Sequence, residues 1–117
     1  MTDEIGEQLA GWGTVAIVQT RGRRSGEPAR AAVGYVEDVD GSVLVAAGRP
    51  EAAWARNLLA DAACLVTIGE DIAPYVAEEL SGTERNAAIA SLILRYGTPA
   101  EGLGRGPAFR LRRIVTD

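Results

Sequence analysis

The sequence predicts a mainly β protein with added helix (α+β), in which about six short, mostly antiparallel strands form a closed or half-closed barrel with two to three helices. Three observations carry this expectation. Short apolar runs rich in Val, Ile and Thr recur along the chain, bounded by Gly, Pro and Asp. Tight turn signals separate the first three of these runs. Apart from a short N-terminal segment, only residues 51–60 and 81–96 place apolar side chains at helical spacing. A barrel satisfies the edges that so many short strands would leave open. At 117 residues the chain suffices for one domain around a single core, spanning residues 1–117.

Taken in order, residues 1–11 mix acids with Ile5 and Leu9, a spacing that suits a short amphipathic helix. Residues 12–20 read as the first strand, apolar and enriched in β-branched side chains. Residues 31–37 read as the second, and Asp38-Val39-Asp40-Gly41 is a hairpin turn leading to a third over 42–47. These three strands are expected to form a meander. Gly48-Arg49-Pro50 ends the third strand. A helix over 51–60 follows, with Pro50 and Glu51 suited to its first turn and Ala52, Ala55, Leu58 and Leu59 forming its apolar stripe. Residues 64–68 are a fourth strand. Residues 72–80 are a fifth, where Pro74 and Tyr75-Val76 favour extended chain over helix. Ser81 and Glu84 stand at capping-box spacing before the longest helix, whose stripe is Ala88, Ile89, Leu92, Ile93 and Tyr96, ended by Gly97. A glycine-rich loop spans 98–106. The last strand, 107–115, points Phe109 and Leu111 inward, with Ile114 as a third candidate, and Arg110 and Arg112 outward.

One stretch does not read as ordinary folding material. Thr20-Arg21-Gly22-Arg23-Arg24-Ser25-Gly26-Glu27-Pro28-Ala29-Arg30 carries four Arg and one acid in a protein of net charge −4. Gly22 and Gly26 can take positive φ and turn successive N–H groups into one concavity. The guanidinium groups add forked donors that match phosphate or carboxylate oxygens, and Ser25 adds a hydroxyl. The segment reads either as an anion-binding loop, for phosphate above all, or as a solvated turn.

Composition removes several chemistries. With no His and a single Cys, Ser-His-Asp and Cys-His nucleophilic sites, His-containing zinc sites and thiolate clusters are excluded. All twelve cations are Arg, so Schiff-base chemistry and a P-loop lysine are excluded too. Any redox or transfer chemistry would therefore rest on a bound cofactor. Cys64, inside an apolar run, reads as a small core residue. Overall acidity argues against nucleic-acid partners. The absence of a membrane-length apolar run or a signal-peptide pattern points to a cytoplasmic protein without an integral membrane segment.

The basic stretch resembles the "TxGRKSGxxR" segment of the deazaflavin-dependent nitroreductase family, within the split β-barrel flavin and deazaflavin oxidoreductases. Ala53-Trp54-Ala55-Arg56-Asn57-Leu58-Leu59-Ala60-Asp61 is similar to that family's "PxWYxNLxANP" helix, and the likeness covers roughly residues 12–115. It implies a split β-barrel and reduced coenzyme F420 (8-hydroxy-5-deazaflavin) as hydride donor to a quinone, enone or nitroaromatic acceptor. It further implies that Arg23, Arg24, Ser25 and Gly26 hold the coenzyme phosphate, that Arg30 lies near its charged tail, and that Trp54 and Asn57 support the pocket. Where the family carries "SKGG", this chain has Ala46-Ala47-Gly48-Arg49, and Arg49 is the candidate to replace the missing Lys charge. Tyr96 or solvent is the expected proton source. The departures leave FMN binding, or a non-catalytic cofactor-binding barrel, as the alternative. Barrels of this type also pair as homodimers.

Overall fold

The structure, a computed structural model, describes residues 15–97 and 105–115. The expected N-terminal helix and most of the glycine-rich loop lie outside the described residues. Seven strands and two helices are present within them: β1 (Ala16–Arg21), β2 (Pro28–Val33), β3 (Val36–Glu37), β4 (Val43–Ala46), α1 (Ala53–Ala60), β5 (Ala63–Ile68), β6 (Asp71–Glu79), α2 (Gly82–Tyr96) and β7 (Ala108–Arg113). All strands join one antiparallel sheet in the order β2-β1-β5-β6-β7-β4-β3.

That order forces the sheet to curl. β2 and β3 are its two edges, yet only Gly34 and Tyr35 separate them in the chain. Six strand spacings of a flat sheet would hold these edges roughly 29 Å apart. Three Cα steps from Val33 to Val36 reach only about 11 Å. The edges must therefore approach each other, and the sheet rolls into a half-closed barrel.

This is where the expected meander is corrected. The single strand over 31–37 is two strands on opposite edges, so the count is seven rather than six. Gly34 permits the break, because a Cβ there would stand 3.0 Å from the Tyr96 ring. The Tyr96 hydroxyl accepts from the Tyr35 N–H at 3.0 Å and donates to the Tyr35 carbonyl at 3.1 Å. Arg95 also donates to that carbonyl and lies over the Tyr35 ring. Side chains of α2 thus take up the backbone groups that a continuous strand would have paired.

The barrel interior is filled by alternate residues from the strands, among them Val18, Val45, Val66, Tyr75, Phe109 and Leu111. Ala55, Leu58 and Trp54 of α1 pack against the same cluster. A second cluster lies on the outer side of the wall, where Ala88 and Leu92 of α2 meet Leu44, Ala46 and Ala108. β4 is therefore buried on both faces, which explains its unbroken apolar run.

Three local expectations shift. α1 begins at Ala53, two residues later than the expected start at Glu51. Pro50 and Glu51 lie in a turn closed by Ala52 N–H to the Arg49 carbonyl. Ser81 sits at the N-cap of α2 in extended conformation but its side chain makes no capping bond. Glu84, its expected partner, instead faces Arg110 at 3.9 Å. Ile114 lies beyond the end of β7 and is 41% exposed rather than turned inward.

Arg110 does point away from the barrel interior, but the β3–β4 turn covers it. It donates to Asp38 Oδ2 and Ser42 Oγ, both at 2.7 Å, with Asp40 Oδ2 at 3.8 Å. This pins the turn to β7.

Candidate functional site

The β1–β2 connection is a compact loop whose backbone bonds close on themselves. Gly22 N–H donates to the Glu27 carbonyl and Gly26 N–H to the Gly22 carbonyl, each at 2.8 Å. The Glu27 N–H donates to Ser25 Oγ at 3.1 Å. The two glycines have different reasons. Gly26 takes φ +76°, the left-handed region. Gly22 does not; there a Cβ would stand 2.8 Å from Ser25 Oγ and 3.0 Å from the Glu27 carbonyl oxygen. So the glycine amides close the loop instead of facing a ligand, contrary to expectation. Among the described residues, the amides of Arg24 and Ser25 are the ones in the loop left without a partner.

The loop is anchored from beneath by α1. Asn57 is buried at 3% exposure, and its Oδ1 accepts from both the Arg23 N–H (3.2 Å) and Arg23 Nη1 (2.9 Å). Asn57 Nδ2 donates to Thr20 Oγ1 at 3.0 Å, fixing the orientation of the amide. One side chain on a helix thus sets the position of the loop and of one of its guanidinium groups. The others, Arg21 and Arg24, are exposed and make no ion pair among the described residues.

Above this anchor lies a concavity of about 410 Å³ lined by Arg21, Arg23, Arg24, Ser25 and, across from them, Ala60 and Asp61. Three guanidinium groups, a hydroxyl and two unpaired amides suit the oxygens of a phosphate or carboxylate. Asp61 opposes that charge. Its carboxylate accepts from the Ala63 N–H at 3.1 Å, capping the start of β5. The donor set fits the phosphodiester of a deazaflavin coenzyme, with Asp61 as a counterweight.

The remaining expected residues fall elsewhere. Arg30 is on β2, opposite Gln19 and outside the concavity. Arg49 is exposed in the turn after β4, with Glu51 at 3.9 Å. Trp54 packs on Phe109, ring centroids 5.9 Å apart, supporting the barrel interior. Tyr96 closes the β2–β3 link, as described above. Ala46 and Ala47, which replace the family's Ser and Lys, are both buried, and the Ala47 N–H donates to the Pro107 carbonyl.

Arg21 and Asp61 line the concavity although they are not among the site residues expected from the sequence. The alternation of β1 places Arg21 on the opposite face from buried Thr20, a signal present in the sequence. Asp61 two residues before a strand has the pattern of a side-chain cap on Ala63, which could have flagged it.

A half-closed barrel whose first hairpin carries an arginine-rich loop braced by a helix is the framework of a split-barrel protein. The chain belongs to the F420H(2)-dependent quinone reductase family, whose profile matches residues 1–98. It is accordingly an oxidoreductase of the deazaflavin-dependent type. Among solved structures, an F420-H2 dependent reductase (FDR-A) is 25% identical with a TM-score of 0.73, over 85% of this chain and 94% of that one. A chain solved as a domain-swapped dimer is 23% identical with a TM-score of 0.72, over 93% and 95%. The heme storage protein HutZ from Vibrio cholerae shares the fold at 18% identity and a TM-score of 0.76, over 99% and 93%. A comparison with curated proteins found no match. The FMN alternative finds no support in the family match. No described helix is long and apolar enough to cross a membrane.

Proposed function

We propose that this protein binds reduced coenzyme F420 through the β1–β2 loop and reduces a small conjugated acceptor such as a quinone, enone or nitroaromatic. The observation that carries the reading is the Asn57 anchor, which holds Arg23 at the rim of a concavity that also gathers Arg21, Arg24 and Ser25. Preorganised donors of this kind lose little freedom on binding. Each charge-assisted hydrogen bond contributes about 1.5–3 kcal/mol, so several can hold a phosphodiester after its desolvation.

When bound, the reduced deazaflavin supplies the hydride. The chain's residues bind and orient it: Arg23 and Arg24 pair with the phosphate, Ser25 and Gly26 shape the loop around it, and Asn57 fixes the loop to α1. Trp54 steadies α1 by packing on Phe109. Arg30 and Arg49 lie outside the phosphate concavity and are assigned to the more distant anionic tail. Of the two proton sources, solvent is favoured, because the Tyr96 hydroxyl both accepts from and donates to the Tyr35 backbone. Pairing of two copies as a homodimer and a cytoplasmic location complete the reading.

The test is a fluorescence titration with coenzyme F420. Replacing Arg23 and Arg24 together by Ala should raise its Kd at least about tenfold, the loss of one or two charge-assisted bonds. An unchanged Kd removes the loop from the site. Oxidation of the reduced coenzyme on adding menadione or a nitroaromatic then separates a reductase from a protein that only holds the cofactor.

A further inference from the structure

The outer face of β5, β6 and β7 carries an apolar patch. Its residues alternate with those that fill the barrel, and the pairing register sorts them into rows across the strands. Thr67 lies beside Ile72. Leu65 lies beside Pro74, whose carbonyl accepts from the Ile114 N–H. Ala63 lies beside Val76, and Val76 beside Arg112. Ile72 is 66% exposed, and Leu65, Ile114 and Val76 are 40%, 41% and 43% exposed.

Two features define what this face fits. The Thr67–Ile72 and Leu65–Pro74–Ile114 rows hold no charge, in a chain whose residues are 24% charged. An uncharged centre with charge at its rim is the layout of a protein interface. The rim also differs between the two ends of the strands. At one end the β5–β6 turn presents Glu70, exposed and without an ion pair among the described residues. Asp71 beside it is held by Arg113 at 3.3 Å. At the other end stands Arg112, which Asp40 and Glu78 share at 3.2 and 3.7 Å. Arg21 lies at that same end on neighbouring β1, exposed and without an ion pair among the described residues.

Along the strands the order is therefore an acidic turn, two apolar rows and a basic end. That order is self-complementary. A two-fold axis lying across the strands, between the two apolar rows, sets each apolar row on the other. It also lays the Arg21 end of one copy over the Glu70 turn of the next. This is the operation of an isologous dimer.

We propose that this face is the surface through which two copies of the chain pair. The inference rests on the homodimer put forward above and names the surface that makes it. A second copy meets both charged ends with opposite charge, which a purely apolar partner does not. Three strands about 4.8 Å apart give a footprint at the small end of specific interfaces, so the dimer should dissociate on dilution.

Sedimentation equilibrium of the full chain over a dilution series reads the dimer Kd. Ile72→Glu should raise it at least about tenfold, because the new carboxylate faces an apolar row with no partner. Ile72 is exposed, so the monomer should keep its Tm; Leu65→Glu is the second variant should it not. Glu70→Arg should weaken pairing roughly three- to tenfold at low salt. It does so although it lowers the negative charge of an acidic chain, which would ease the approach of two copies in general.

A dimer Kd unchanged in both Ile72→Glu and Leu65→Glu overturns the proposal, placing the interface elsewhere and leaving the homodimer standing. A wild-type chain that stays monomeric at every concentration overturns the homodimer and this face together. Glu variants that lower the Tm of the monomer without altering association also overturn it, since the same chain would then cover the patch. Glu70→Arg that pairs as tightly as wild type overturns the two-fold arrangement. F420 titration of the same variants tests the coenzyme reading separately, because Ile72, Leu65 and Glu70 lie outside the anion concavity.

Discussion

Asn57 and Arg23, 34 residues apart in sequence, meet through two hydrogen bonds onto one amide oxygen, one from the Arg23 backbone and one from its guanidinium. A buried side chain on α1 therefore decides where a surface loop sits. Fold stability and the position of the loop are coupled at this point.

Asn57→Ala should accordingly affect both. The substitution leaves the buried Thr20 hydroxyl without its donor and the Arg23 N–H without its acceptor. A loss of about 1–3 kcal/mol is expected in urea unfolding. Anion affinity should fall by roughly three- to tenfold as the loop loses its preorganisation. Full affinity in a destabilised variant would show that the anchor serves the fold alone.

Asp61→Asn should act in the opposite direction on binding. Asn retains an oxygen to cap the Ala63 N–H but removes a negative charge from the wall facing the arginines. Phosphate affinity should rise by roughly two- to fivefold at low salt, and the difference should shrink as ionic strength increases. Calorimetric titrations at two salt concentrations check both parts.

Two glycines near the end of β4 should respond very differently to Ala. A Cβ at Gly106 would stand 2.6 Å from the Arg49 carbonyl oxygen and 2.7 Å from that of Ala47, and backbone cannot swing aside as a side chain can. Gly106→Ala should destabilise by about 2 kcal/mol or more. At Gly48 a Cβ meets nothing within 4 Å, and Gly48→Ala should be neutral or stabilising by about 0.5 kcal/mol. Thermal melts of the pair read this contrast directly.

The turn pinned by Arg110 predicts an acid-sensitive step. The Ser42 hydroxyl and N–H, with Arg110 and Arg112 nearby, hold the Asp40 carboxyl at about 2, below its usual 3.8. Arg110 lowers Asp38 as well, chiefly through its hydrogen bond. A carboxyl depressed in the folded state stabilises the fold above its unfolded pKa and ceases to do so as pH falls through the folded one. Stability should therefore drop between about pH 4 and pH 2. Asp40→Asn should show a shallower drop across that window and a lower Tm at pH 7. Parallel acid limbs in the two proteins would remove Asp40 from the transition.

Periodicity located most of the elements because it reports on burial, and burial follows from side-chain identity. β1, β4, β5, β6, β7 and both helices lie close to where their apolar spacing places them. The basic loop was legible for a similar reason: four Arg within eleven residues in an acidic protein have no role in a core. Pairing was less legible. Nothing local marks Gly34-Tyr35 as the joint between the two edges of the sheet, since residues 31–36 run on as one small and apolar stretch. The break depends on Tyr96 and Arg95, some sixty residues downstream, which take up the Tyr35 backbone groups.

The sequence by itself determined the fold class, most element positions, the concentration of arginines in the first hairpin, and the absence of His, of Lys and of a thiolate cluster. These follow from composition and from short-range spacing, which the linear chain already contains. Tertiary structure alone decided that the glycine amides close the loop, that Asn57 anchors it, and that Arg21 and Asp61 line the concavity beside it. Each of these depends on contacts between distant segments, and their geometry exists only once the sheet has curled and α1 has packed against β1.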